Sequence, residues 1–150
     1  MRTIDDITGI IVDAAYRIHT GLGPGRLESV YEVVLARELE RCGLRVERQR
    51  AVSFEFDGIS FLDAFRIDLL VENAVVVELK SIEQTIPLYS KQLLTYLRLM
   101  NLNVGLLINF GAGTLKEGLK RVVNNYSGPH SFASREGLHA KAPTDERQSN

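Results

Sequence analysis

Two carboxylates and a lysine lie in one short segment of this chain, in an arrangement that could bind a metal ion. The segment runs from Phe65 to Lys80 and contains Asp68 and Glu78. Its apolar residues alternate with the others, the period-2 pattern of two strands that bury one face. The pattern breaks at residues 72–74, which suits a three-residue hairpin loop. We therefore expect all three ionisable side chains on one face of one β-hairpin.

The pairing register of this hairpin decides whether the two acids meet. A loop at 72–74 places Val71 opposite Val75, and counting outward places Asp68 opposite Glu78. Directly opposed side chains in an antiparallel pair have Cβ atoms about 4.5–5.5 Å apart, and like charges there destabilise the sheet. We expect something to compensate the two carboxylates.

Two kinds of compensation fit the sequence. Mg²⁺ binds one or two carboxylates together with waters and phosphate oxygens, so Asp68 and Glu78 could hold this ion. Alternatively, Arg66, which the register places opposite Lys80, forms with that lysine a surface salt-bridge cluster that neutralises both acids. Leu70 on the same face, and helical segments that could cover it, favour a partly buried site over a solvated one.

Composition excludes several classes of protein. The 150 residues carry a net charge of -1, so binding of nucleic acid would depend on a local patch of positive charge. The single cysteine, Cys42, rules out an internal disulfide and a paired-cysteine zinc site, and it fits a reducing compartment. The N-terminus lacks the apolar stretch of a signal peptide, and no run reaches membrane-spanning length. We therefore expect a cytoplasmic protein that does not bind membranes.

Hydrophobic periodicity predicts a mixed α/β fold with the order ααβββαβα. We expect two helices (5–19 and about 27–42), a three-strand meander (44–80), a helix (87–101), a buried strand (104–108) and a helix from 114 to about 123. Gly43 should cap the second helix. Asp63, Arg48 and Arg50 fall at apolar positions of their strands, which indicates a bulge or a frayed end. Residues 1–124 form one predicted domain, and 125–150 have the composition of a disordered tail.

Other candidate residues lie on the predicted helices. Glu28 lies one turn into the second helix and shares a face with Tyr31 and Glu32. It could supply a third carboxylate to a metal site or complement the positive helix N-terminus. Gln92 could reach a phosphate or a metal-bound water from the third helix. His19 lies at the end of the first helix, where hydrogen bonding to a carbonyl is the expected role.

Five motifs in order along the chain resemble those of one protein family. They are Gly25-Arg-Leu-Glu28-Ser-Val-Tyr31-Glu32, Arg66-Ile-Asp68, Glu78-Leu-Lys80, Gln92-Leu-Leu-Thr-Tyr96-Leu and Val104-Gly-Leu-Leu-Ile-Asn-Phe-Gly111. The combination resembles the GxxExxY family of the PD-(D/E)XK nuclease-like superfamily from about Ile7 to Val123. The resemblance implies a restriction-endonuclease-like core: a central mixed sheet, built from the meander and one further strand, flanked by helices.

The resemblance also implies roles for individual residues. The metal ligands would be Asp68, Glu78 and the Leu79 carbonyl, the catalytic residues Lys80, Glu28 and Gln92, and the supporting residues Tyr31, Glu32, Tyr96, Arg66 and His19. The implied activity is hydrolysis of DNA or RNA with Mg²⁺, for which Mn²⁺ can substitute. The alternative is an inactive module that binds nucleic acid or a protein partner. Ile67 replaces the proline of the superfamily name, and Tyr89 stands where relatives are expected to have histidine.

Overall fold

The computed structural model describes residues 1–126, and the predicted tail from residue 127 onward lies outside the described residues. The elements are α1 (Ile4–Leu22), α2 (Glu28–Arg41), β1 (Val46–Phe56), β2 (Ile59–Val71), β3 (Val75–Lys80), α3 (Pro87–Met100), β4 (Val104–Asn109), α4 (Leu115–Gly118) and β5 (Leu119–Val123). The mixed α/β class and the first seven elements are confirmed. None of the helices within residues 1–126 is long and apolar enough to cross a membrane.

One sheet with the strand order β1-β2-β3-β4-β5 forms the centre of the fold. The β3–β4 pair is parallel and the other three pairs are antiparallel. A parallel pair needs a long crossover, and α3 supplies it. Helices α1 and α2 pack on one face of the sheet and α3 packs on the other. The alternation predicted one buried face, whereas the structure buries both, with Val75 and Val77 toward α1 and α2 and Val76 toward α3.

The hairpin between β2 and β3 has the predicted register. Val71 pairs with Val75, and the ladder continues to Leu69 and Val77. The loop is short because Glu72 and Asn73 both adopt left-handed backbone conformations, with φ of 53°. This register carries Asp68 toward Glu78.

The hairpin between β1 and β2 is longer and distorted. Asp57 and Gly58 form its turn, with φ of 51° and 76°. The register shifts between Val52 and Phe54, opposite Asp63, whose φ is 47°. The predicted bulge is therefore confirmed. The far half of this hairpin, residues 53–63, is mostly exposed, and we call it the arm.

The predicted length of the last helix, from 114 to about 123, is wrong. Thr114 caps a helix as expected, because its side chain accepts a hydrogen bond from the Glu117 N–H at 3.3 Å. The helix ends at Gly118, and Leu119–Val123 forms β5, antiparallel to β4. Strand β4 is fully buried, so its free edge would leave backbone groups without partners, and β5 satisfies them. The observed order is therefore ααβββαβαβ.

Candidate active site

Asp68 and Glu78 meet where the pairing of β2 and β3 ends. Beyond Leu69 and Val77, the Asp68 N–H donates to Oε1 of Glu78 over 3.1 Å. The Leu79 N–H donates to Oδ2 of Asp68 over 2.7 Å. Each carboxylate accepts a hydrogen bond that a regular ladder would give to a backbone carbonyl. The predicted meeting of the two acids is confirmed.

The predicted opposition of Arg66 and Lys80 is not formed, because β2 and β3 are no longer paired with each other at these positions. Arg66 pairs with Ala51 of β1, and its guanidinium donates to the Gln49 carbonyl over 3.1 Å. Lys80 pairs with Asn109 of β4. The two strands separate beyond the acids, which opens the sheet there. The prediction that Arg66 and Lys80 together neutralise the two acids is therefore wrong, because Arg66 contacts β1 instead.

Burial raises the pKa of both acids. Burial, followed by the negative charge of Asp68, raises the pKa of Glu78 to about 8. Burial is also the main cause that raises the pKa of Asp68, and the Glu32 carboxylate adds to it. The hydrogen bond from Leu79 and the charge of Lys80 act in the opposite direction on the Asp68 pKa. Without a further cation, the site favours keeping one proton at neutral pH.

Lys80 lies near both carboxylates. Its positive charge lowers the pKa of Asp68 and of Glu78, although burial outweighs it. Its Nζ lies 4.4 Å from the centroid of the Tyr89 ring, within the range of a cation–π interaction. Tyr89, at the position where the family resemblance leads us to expect histidine, thus supports the lysine.

Tyr96 on α3 completes this side of the site. Burial, then the charges of Glu78 and Asp68, raise the pKa of its hydroxyl, and a hydrogen bond with Gln92 opposes that rise. The Tyr96 ring stacks on Phe65, with centroids 4.1 Å apart. Gln92 is exposed, and its side chain is hydrogen-bonded to Tyr96.

A cleft of about 630 Å³ lies beside Asp68, on the α2 side. Its lining residues are Gly25, Arg26, Leu27, Glu28, Ser29, Glu32, Gln49, Asp68, Leu79 and Ser81. Glu28 is exposed, whereas Glu32 is 7% exposed. Glu32 accepts from Arg48 Nη2 at 3.0 Å and from the amide of Gln49. The structure therefore brings Glu28 and Glu32 to the cleft that holds Asp68.

Two of the predicted supporting residues, Tyr31 and His19, do not line the cleft. Tyr31 is fully buried and stacks on Phe110 with centroids 4.3 Å apart. Its hydroxyl donates to the Gly23 carbonyl at 2.5 Å, which holds the glycine-rich turn that precedes α2. The Nε2 atom of His19 lies 2.9 Å from the carbonyl oxygen of Ala112. That partner is 93 residues away, so the carbonyl that His19 contacts belongs to the loop after β4 and not to the end of α1 as expected, and the contact ties the two segments together.

Sequence reasoning missed Gln49 and Asn109. Asn109 is 1% exposed and brackets the backbone of Ile82, accepting from its N–H at 3.1 Å and donating to its carbonyl at 2.9 Å. This contact fixes the chain just after Lys80 to the end of β4. A polar residue closing an apolar strand was the available signal for Asn109. The alternation rule gave no such signal for Gln49.

The donor set suits a hard divalent cation. Within residues 1–126 no group of three or more His, Cys, Asp and Glu side chains is placed to hold a metal. Two adjoining carboxylates remain, and Mg²⁺ commonly binds through one or two carboxylates with waters. Because N–H and C=O of one residue in a strand point to the same side, the Leu79 carbonyl faces the site as its N–H does. The residues present therefore fit such an ion.

A sequence model of the PD-(D/E)XK nuclease superfamily matches residues 5–122 of this chain. The chain belongs to that superfamily. The match spans both acids, Lys80 and every described strand except the last residue of β5. A search of curated proteins and a search of solved structures each found no match.

Membership in the PD-(D/E)XK superfamily supports a function of the nuclease type. Superfamily nucleases generally use divalent metal ions, and their substrates are nucleic acids. The five-strand mixed sheet flanked by helices is consistent with the restriction-endonuclease-like fold.

Proposed function

We propose that this chain is a Mg²⁺-dependent nuclease of the GxxExxY family that hydrolyses phosphodiester bonds of DNA or RNA. The observation that carries the proposal is the meeting of the Asp68 and Glu78 carboxylates, with Lys80 close enough to shift the pKa of both. Residues 1–124 would form the nuclease domain. The cytoplasmic location stays a prediction based on the single cysteine.

The proposed metal ligands are Asp68, Glu78 and the Leu79 carbonyl. When bound there, Mg²⁺, or Mn²⁺ in its place, would polarise the phosphate and lower the pKa of the attacking water. The rise of the Glu78 pKa to about 8 supports this set, because a cation would relieve the repulsion that causes part of that rise.

The other proposed roles belong to residues around the two acids. Lys80 would orient the attacking water and stabilise the negative charge that develops on the phosphate. Glu28, at the edge of the cleft, would hold a water or a second ion. Gln92 would act through Tyr96, to which it is hydrogen-bonded.

The test is a cleavage panel of single- and double-stranded DNA and RNA, with Mg²⁺, Mn²⁺ or a chelator. We expect divalent-dependent cleavage of at least one substrate by the parent, and loss of it in Asp68→Ala and in Lys80→Ala. Asp63→Ala, which removes an exposed carboxylate from the same strand, is the matched control and should cleave like the parent. Equal cleavage by Asp68→Ala and the parent would refute the assignment.

The rival function is an inactive module that binds nucleic acid or a protein partner. The net charge of -1 favours it, because the chain has no overall positive field to attract nucleic acid. Calorimetry with Mn²⁺ separates the two functions. An active site should bind the ion in the parent and lose it in Asp68→Ala, whereas a module with a vestigial site should show no difference between them.

A further inference from the structure

Strand β1 directs two consecutive side chains at the same carboxylate. In a regular strand, neighbouring side chains point to opposite faces of the sheet. Arg48 and Gln49 are neighbours, yet both donate to Glu32, the first to Oε2 and the second to Oε1. The exception has a visible cause. Gln49 adopts a left-handed backbone conformation with φ of 51°, which turns its side chain toward the cleft.

The distortion leaves the pairing register unchanged. The pairing with β2 keeps the same register on either side, with Arg48 opposite Leu69 and Arg50 opposite Ile67. A left-handed conformation is uncommon for glutamine, and such residues persist only where the surroundings hold them. Here the Arg66 guanidinium donates to the Gln49 carbonyl over 3.1 Å, and Glu32 holds its side chain.

The same amide nitrogen also reaches the proposed metal site. Nε2 of Gln49 lies 3.3 Å from Oδ1 of Asp68, and the Leu79 N–H lies 2.7 Å from Oδ2. Both oxygens of Asp68 are therefore held. We propose that Gln49 is a positioning residue that orients the Asp68 carboxylate for a divalent cation, a role that rests on the proposed nuclease function.

A neutral amide is well suited to this position. Glu32 is nearly buried and Arg48 already compensates its charge, so Gln49 needs to bring no charge of its own. Its amide group donates to two carboxylates at once and adds no positive charge that would compete with a cation at Asp68. Hydrogen-bonded partners of this kind orient ligating carboxylates in metal sites and tune their affinity.

The test compares Gln49→Gly with the parent by Mn²⁺ titration and steady-state kinetics. Glycine accepts the left-handed backbone readily, so the variant loses the amide and keeps the distorted strand. We expect the Mn²⁺ Kd to rise about tenfold and kcat to fall by a similar factor. Because Gln49 would act on the cation site, KM for the nucleic acid should change by less than about twofold. Gln49→Met, which keeps the side-chain length without the donor, should reproduce the loss if glycine unfolds the strand.

Two controls separate positioning from a structural role. Asp63→Gly makes a similar change at another left-handed residue of this hairpin, on the exposed arm, and should keep the parent's Kd and kcat. In a double-mutant cycle, Glu32→Gln and Gln49→Gly should not be additive in Mn²⁺ affinity, because Gln49 is held by Glu32.

The outcomes distinguish this role from the nuclease function itself. If Gln49→Gly and Gln49→Met both keep the parent's Mn²⁺ Kd, the positioning role is overturned, even if both variants are less stable. Cleavage by the parent would then still support the nuclease function. A parent that binds Mn²⁺ but cleaves nothing overturns the nuclease function, and the Kd values still decide the role of Gln49. A parent that binds no Mn²⁺ overturns both.

Discussion

Two residues within the strands of the β1–β2 hairpin share an unusual backbone conformation but have different surroundings. Gln49 at the base has φ of 51° and Asp63 on the arm has φ of 47°. The side chain of Gln49 contacts two carboxylates beside the cleft. Asp63 is exposed, and its N–H donates to Oγ of Ser53 at 2.9 Å within the bulge. The same left-handed backbone conformation thus directs a side chain to the cleft at the base of the hairpin and forms part of a β-bulge on the arm.

The apolar side chains of the hairpin also differ in burial between the base and the arm. At the base, Ile67 is fully buried. On the arm, Phe56 is 71% exposed and Leu62 is 82% exposed. A left-handed residue is therefore no sign of function by itself. It becomes informative where burial and neighbouring charges give its side chain something to hold.

The largest expected contrast is between the two aspartates of β2. Asp68→Asn should lower divalent-dependent cleavage by about 10²–10³-fold, the usual loss when one preorganised electrostatic group is removed. Asp63→Asn should cleave like the parent, because its side chain lies on the arm. Rates at saturating Mg²⁺, with circular dichroism to show that both variants are folded, make the measurement. A comparable loss in Asp63→Asn would break the distinction between base and arm.

Two isoleucines of β2 extend the contrast to stability. Ile67→Ala empties a fully buried position and should lower the free energy of unfolding by about 2–5 kcal/mol. Ile59 is 57% exposed at the arm, so Ile59→Ala should change it by less than about 0.5 kcal/mol. Urea denaturation of both variants gives the two values. Similar losses would mean that the arm packs against something in solution.

The raised pKa of Glu78 predicts a pH dependence of the metal-free protein. The folded-state pKa of about 8 exceeds the ordinary value of 4.5, so the folded state binds more protons between those values. Stability from this group is fully present below about 4.5 and is lost as pH rises through about 8. Thermal unfolding in chelator should show this fall in the parent and a weaker one in Glu78→Gln. Glu55→Gln, on the exposed arm, is the control and should follow the parent.

The smallest contrast is between two aromatic residues. Tyr89→Leu removes the ring 4.4 Å from Lys80 Nζ and should cost about 0.5–1 kcal/mol of interaction, which is a severalfold fall in kcat. Phe61→Leu breaks a stacked pair with Phe54 on the arm and should leave kcat unchanged. Kinetics at saturating Mn²⁺ compare the two. An unchanged kcat in Tyr89→Leu would show that Lys80 is held by other contacts.

Local patterns predicted the parts of the fold that depend on near neighbours in the chain. The register of β2 and β3 followed from alternation and a three-residue loop, and it brought Asp68 to Glu78 correctly. The start of α4 followed from Thr114. Its end did not, because Leu119–Val123 becomes a strand only by pairing with the edge of β4.

By itself, the sequence determined that two acids and a lysine share one hairpin, because alternation and loop length act over a few residues. The tertiary structure decided what surrounds them. It separated Arg66 from Lys80, since at these positions β2 pairs with β1 and β3 pairs with β4, and it bound the chain after β3 to Asn109. It also turned Gln49 toward Asp68, against the alternation of its own strand. The hydrogen bonds of Gln49 and Asn109 join residues 17–27 positions apart in the chain. A pattern that acts over a few neighbouring residues cannot encode such contacts.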